Sequence, residues 1–162
     1  MSNLYNKFVF FEKVCYSPEQ EASLEIELIF NLKYRLEDTM ADTFTTINDL
    51  PVLVCDPDGK KLTDEAGAVE LIGEAMSVGA KLIIVPVERL EDDFFQLKTR
   101  IAGHIVQKFV TYQRQLIILG DISQHLENSR ALRDFVYEAN KGDQIWFVTN
   151  LQELNDRFSR ST

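Results

Sequence analysis

Between Asp93 and Val148 the chain alternates twice between amphipathic and wholly apolar stretches. The first stretch, D-D-F-F-Q-L-K-T-R-I-A-G-H-I-V-Q-K-F, has helical spacing. Phe94, Leu97, Ile101, Ile105 and Phe109 share one face, with Ala102 and Val106 beside it. Q-L-I-I-L-G-D-I-S follows, an apolar run stopped by glycine. R-A-L-R-D-F-V-Y-E-A-N-K-G-D then returns to helical spacing through Leu132, Phe135, Val136 and Ala139, and I-W-F-V is apolar again. Runs this short, bounded by turn residues, read as buried strands. Strands alternating with helices imply a sheet with helices packed on it. The expected elements are a central helix over Asp93–Tyr112, strands at Leu116–Leu119 and Ile145–Val148, and a helix between those strands.

The flanks extend the pattern. Thr43–Ile47 and Pro51–Cys55 read as strands joined in a hairpin at Asn48-Asp49. Asp56-Pro57-Asp58-Gly59 reads as a turn in which Pro57 presets φ and Gly59 supplies a positive φ. A helix is expected over Asp64–Val78, with Ala68, Val69, Ile72, Ala75 and Met76 inward and Gly79 closing it. Lys81–Pro86 holds another buried strand. Asp93 and Gln96 suit a capping box. Gly103 costs about 1 kcal/mol relative to alanine in mid-helix, which close approach of another backbone would explain. Gly142 fits the position just past a helix end. Thr149-Asn150-Leu151-Gln152 caps a final helix carrying Leu151, Leu154 and Phe158. The predicted fold is α/β, ββαβαβαβα, a mixed sheet of about five strands with Leu82–Val85, Leu116–Leu119 and Ile145–Val148 adjacent.

Residues 1–39 stand apart as an N-terminal extension. Ser17-Pro18-Glu19-Gln20 is a helix start. Leu24, Leu28, Leu32 and Leu36 recur every four residues, as on a helix. Leu24, Ile26, Leu28, Phe30, Leu32, Tyr34 and Leu36 also alternate, as on a strand. Glu, Leu and Lys favour the helix. Residues 40–162 are expected to form a single domain complete without this extension.

Composition excludes several roles. A chain of 162 residues with 45% hydrophobic content can bury one real core. Its net charge of -9 repels a phosphate backbone, so nucleic acid is not an expected partner. Lys98, Arg100, Lys108 and Arg114 fall in one stretch, which reads as a solvated helix face. No apolar run approaches ~18 residues, so no membrane span is expected. The two cysteines, Cys15 and Cys55, suggest neither a disulfide framework nor a zinc site, and a cytoplasmic location fits them.

The ordered series F-F-Q-L-K-T-R-I-A-G, Q-K-F, L-G-D-I-S, L-R-D-F-V-Y-E-A-N-K-G and I-W-F-V resembles the bacterial domain-of-unknown-function family 4180, over about Thr43 to Phe158. The resemblance implies no activity and no site residues. The strand order is also similar, in topology, to STAS domains of sulfate transporters and anti-sigma factor antagonists. That likeness implies a phosphorylatable hydroxyl at the start of the helix after the third strand. Glu91-Asp92-Asp93-Phe94-Phe95 offers carboxylates there instead, and Thr99 is the first hydroxyl.

Three groups carry the candidate chemistry. Asp121 and Ser123 follow a buried strand, where α/β sheets gather ligands; the plainer reading is a turn capped by its own side chains. Arg133 and Asp134 stand beside their helix's inner face, able to join Asp121 around a polar pocket or to form an ordinary ion pair. Lys98 and Thr99 with a helix N-terminus suit an anion, but Glu91, Asp92 and Asp93 already place negative charge there. His104 and His125 have no partner at metal-ligand spacing. No catalytic constellation and no cofactor are expected. The expected role is a non-enzymatic regulatory or protein-interaction module, whose partner is another protein or a second copy. A small-ligand binder using the strand ends near Asp121 is the alternative, and an enzyme with an unrecognised site the third.

Overall fold

Asn48 and Asp49 both adopt left-handed backbone, φ 49° and 62°, as a two-residue type I′ hairpin loop demands. They join β1 (Thr43–Ile47) to β2 (Leu50–Val54), antiparallel with Ile47 opposite Leu50. The computed structural model of the chain describes residues 42–160; the extension read at 1–39 lies outside the described residues. From β2 onward every step is strand, helix, parallel strand. The elements are α1 (Glu65–Ser77), β3 (Leu82–Pro86), α2 (Asp92–Phe95), α3 (Ile101–Thr111), β4 (Gln115–Leu119), α4 (Ser123–Asn128), α5 (Arg130–Lys141), β5 (Ile145–Val148) and α6 (Leu151–Arg160).

The sheet order is β1-β2-β3-β4-β5, with β2 to β5 parallel. Each crossover therefore moves the chain one strand in the same direction. Right-handed crossovers that never reverse must place their helices on a single face. Accordingly α1, α3 and α5 pack together over Leu53, Ile83, Val85, Leu116, Ile118 and Phe147. The alternate residues Val52, Val54, Leu82, Ile84, Ile117 and Trp146 form the second face, against which Leu154 of α6 packs. The mixed five-stranded α/β sheet thus has the predicted element order.

Several local expectations are corrected. The central helix is not continuous over Asp93–Tyr112. It breaks into α2, a 3-10 turn at Leu97–Thr99, a left-handed Arg100 at φ 64°, and then α3. A 20-residue helix would run ~30 Å, whereas five-residue strands span only ~17 Å. The break lets the excess fold back with Phe94 and Phe95 both buried. No side chain caps α2, so the Asp93–Gln96 capping box does not form. The segment between β4 and β5 splits into α4 and α5, where Ser129 caps α5 by accepting from the Leu132 amide. On α1 the inner face is Ala68, Leu71, Ile72 and Ala75, while Val69 and Met76 turn outward. Nothing approaches within 4 Å of a Cβ built on Gly103, so no backbone contact explains that glycine. Gly142 is the cap of α5 itself, in extended rather than left-handed geometry, and its carbonyl accepts from the Trp146 indole at 2.7 Å.

Gly79 does close α1 as predicted. At φ 76° it donates to the Met76 carbonyl while Ala80 donates to Ala75, a Schellman arrangement. The same pair of bonds ends α3 with Gln113 at φ 53° in the glycine position, at a cost of about 1 kcal/mol.

Ile117 is fully buried in β4, with strands on both sides. An aspartate there would place an unpaired charge in the core, which costs several kcal/mol. Ile117→Asp is expected to abolish the cooperative thermal transition seen by circular dichroism; an unchanged melt would contradict the placement of β4.

Candidate functional site

The C-terminal ends of the parallel strands are where open α/β sheets bind ligands, in the crevice where strand order reverses. Among the described strands the order never reverses, so they form no such switch point. The edge is instead built from Asp56 after β2, Arg89 after β3, Gly120-Asp121 after β4 and Thr149-Asn150 after β5.

Arg89 is the centre of this edge. Its side chain is only 7% exposed. The Nη1 group donates to Asp42 Oδ1 at 2.9 Å and to the Asp56 carbonyl at 3.1 Å. Asp42 Oδ1 also accepts from the Asp56 amide at 2.8 Å. The Arg89 carbonyl in turn accepts from Leu62 N–H at 2.7 Å. One buried cation therefore ties together the entry to β1, the end of β2, the end of β3 and the approach to α1. The turn at Asp56–Gly59 forms as expected, with Gly59 N–H donating to Asp56 O at 3.1 Å and Asp58 N–H to Asp56 Oδ1 at 2.9 Å. Gly59, however, is not among the positive-φ glycines. It is glycine because a Cβ would overlap Arg89 Nη1 and lie 2.9 Å from Cζ. Beside it is a shallow hollow of about 30 Å³, with Lys60, Lys61, Glu70, Glu74 and Arg89 among its lining. Lys60 pairs with Glu70, which raises the lysine pKa, and Lys61 donates to the Glu88 carbonyl.

The candidates read from sequence are each engaged by nearby backbone. Asp121 is exposed, and its Oδ1 accepts from the Ser123 amide at 2.9 Å. The amide and then the hydroxyl of Ser123 hold its carboxyl below the usual aspartate range. Gly120, before it, sits at φ 144°, with Val87 pressed where a Cβ would be. Arg133 forms no ion pair with Asp121 among the described residues; its Nη1 donates to the carbonyls of Leu126 and Glu127, capping α4. Asp134 is exposed and forms no ion pair among the described residues. The Thr99 hydroxyl shares its proton between the carbonyls of Asp93 and Gln96, at 2.7 and 2.8 Å, and accepts from Ile101 N–H at 3.3 Å. Lys98 is exposed next to it. After β5, Asn150 Oδ1 accepts from Glu153 N–H at 2.9 Å, and Thr149 N–H donates to Glu153 Oε2 at 2.8 Å.

Of the two histidines, His125 stacks on Phe95 with ring centres 4.1 Å apart and faces Asp92 at 3.9 Å, docking α4 onto α2. No group of three or more potential metal ligands occurs among the described residues. No described helix is long and apolar enough to cross a membrane. Cys55 is buried in the core among apolar side chains.

Sequence reasoning missed Arg89, Asp42 and Asp56. The available signal was a charged residue close behind a buried strand, in V-P-V-E-R-L, together with an aspartate directly after another in L-V-C-D.

The family comparison decides the relationship. The family described as Domain of unknown function (DUF4180) matches residues 47–158. The chain belongs to this family. The DUF4180 match begins at the last residue of β1 and ends within α6, so it spans all of β2 to β5 and every crossover helix. Comparison with curated proteins and with solved structures finds no match.

The site predicts a contrast between two glycines. Gly59→Ala must dislodge a guanidinium held at two points and is expected to destabilise by about 1–3 kcal/mol. Gly73, in mid-α1 with nothing within 4 Å, is expected to gain about 0.5–1 kcal/mol as alanine. Urea denaturation of both variants checks the signs.

Proposed function

We propose that this DUF4180 protein is a non-enzymatic regulatory module that acts by binding another protein through its helix layer. The observation that carries the reading is the self-capping of the strand edge. Arg89, Asp121, Thr149 and Asn150 are each bonded to the chain's own backbone or carboxylates. These internal contacts take up much of the polar capacity a small substrate would use there, leaving Arg89 Nε as the buried group without a partner.

Apolar side chains instead face outward from the helices. Val69 and Met76 on α1, Val78 at its end, and Val110 and Tyr112 at the end of α3 are each more than a third exposed. α1 contains no lysine or arginine and carries Glu70 and Glu74 on its exposed side. With a net charge of -9, the chemistry that complements this surface is a basic protein patch with an apolar anchor.

The test uses the full chain as bait in an extract of its source cells, beside a Met76→Asp/Val110→Asp double variant of matched stability. The expected result is a protein with a basic binding surface that rebinds when purified. Its affinity should fall roughly tenfold or more with the variant and weaken as salt rises. Capture that ignores both the variant and salt would contradict the reading. So would native mass spectrometry showing a stoichiometric small molecule on the purified protein.

A further inference from the structure

The second face of the sheet is apolar and closed. Val52 and Leu82 are 0% exposed and Ile84 is 1% exposed. Among the described residues one helix, α6, packs there. Its Phe158 ring lies 5.7 Å from Trp146 of β5, and Arg157 Nη1 donates to the Asn140 carbonyl at the foot of β5. α6 therefore sits at the β5 edge. Five strands place the edge strands ~19 Å apart, and one helix is ~10 Å wide. A single helix over β4 and β5 leaves the β1–β3 half needing a second cover.

We propose that residues 24–36 of the same chain cover the β1–β3 half of this face. The chain that precedes residue 42 arrives at that half. Asp42 leads directly into β1, the edge strand there, and is pinned by Arg89 at 2.9 Å and by the Asp56 amide at 2.8 Å. Leu24, Leu28, Leu32 and Leu36 provide the matching surface. Spacing by four keeps them together on a helix, and even spacing keeps them together on a strand. One apolar face therefore results whichever conformation the segment takes. On a strand Glu25, Glu27, Lys33 and Arg35 all take the opposite side; on a helix Glu27 and Lys33 turn away from the leucines, while Glu25 and Arg35 fall among them. Thirteen residues of helix are ~20 Å long, enough to lie along strands of ~17 Å. Residues 37–41 reach up to ~17 Å, enough to turn from the sheet edge onto its face. On this reading the two chain ends cover the second face between them, α6 from the β5 edge and residues 24–36 from the β1 edge. The domain that begins at residue 40 is then incomplete. The inference does not depend on the proposed partner, because it concerns the opposite side of the sheet.

Two measurements on the full chain test it. First, the photo-crosslinking residue p-benzoyl-phenylalanine replaces Leu28 or Leu32. Crosslinks to peptides containing Val52 or Ile84 are expected within one chain, at monomer mass and independent of concentration. Crosslinks between two chains, to the helix layer, or to no part of the sheet would overturn the proposal. Second, Leu28→Asp with Leu32→Asp is expected to lower the melting midpoint by roughly 10 °C or more, while Glu27→Gln with Lys33→Gln leaves it in place. An unchanged midpoint in the aspartate pair would overturn the proposal independently of the crosslinking.

Discussion

A buried guanidinium with one described carboxylate partner is the interaction on which the edge of this sheet depends. Arg89 is taken out of water after β3, and its desolvation is offset by Asp42 and the Asp56 carbonyl together. Neither acceptor is local: Asp42 is 47 residues away and Asp56 is 33. The contact closes long loops and brings β1, β2 and β3 into one corner. It also reserves the space over Gly59, so the turn into α1 is shaped by a residue that follows the next strand.

The second constraint is the direction of winding. Because β2 to β5 step one way, the crossover helices share a face and no strand-order reversal opens a crevice. Several polar groups at the strand ends are engaged by the chain's own backbone. Asp121 caps its own turn, Asn150 caps α6, and Arg133 takes the last carbonyls of α4. The surface left available lies on the outer side of α1 and α3, where valine, methionine and tyrosine side chains face water. The proposed recognition of a protein surface rests on that distribution.

Much of the fold is legible in the residues themselves. Asn48-Asp49 specifies its hairpin through backbone that tolerates positive φ, and Gly79 specifies a helix end for the same reason. The four-residue apolar runs locate β4 and β5 because both of their faces are buried. The break in the central helix is not legible in this way. Its apolar spacing continues across Gln96–Arg100, and only the length of the strands beneath limits the helix; Arg100 adopts a left-handed conformation that its residue type does not signal. Spacing alone does not separate Leu71 from Val69 and Met76 on α1, and contact with α3 decides between them. The Arg89 corner was hidden because its partners are far apart in sequence. The groups that were visible, at Asp121, Thr99 and Arg133, have local backbone partners that a single sequence does not reveal.

A double-mutant cycle between Asp42 and Arg89 tests the central role of this corner most directly. Unfolding free energies of Asp42→Ala, Arg89→Met and the double variant are compared with the unaltered protein. A buried pair that organises the edge predicts a coupling of about 2 kcal/mol or more, with the double variant more stable than the sum of the single losses implies. A coupling within about 0.5 kcal/mol of zero, as for an exposed pair, would contradict the account.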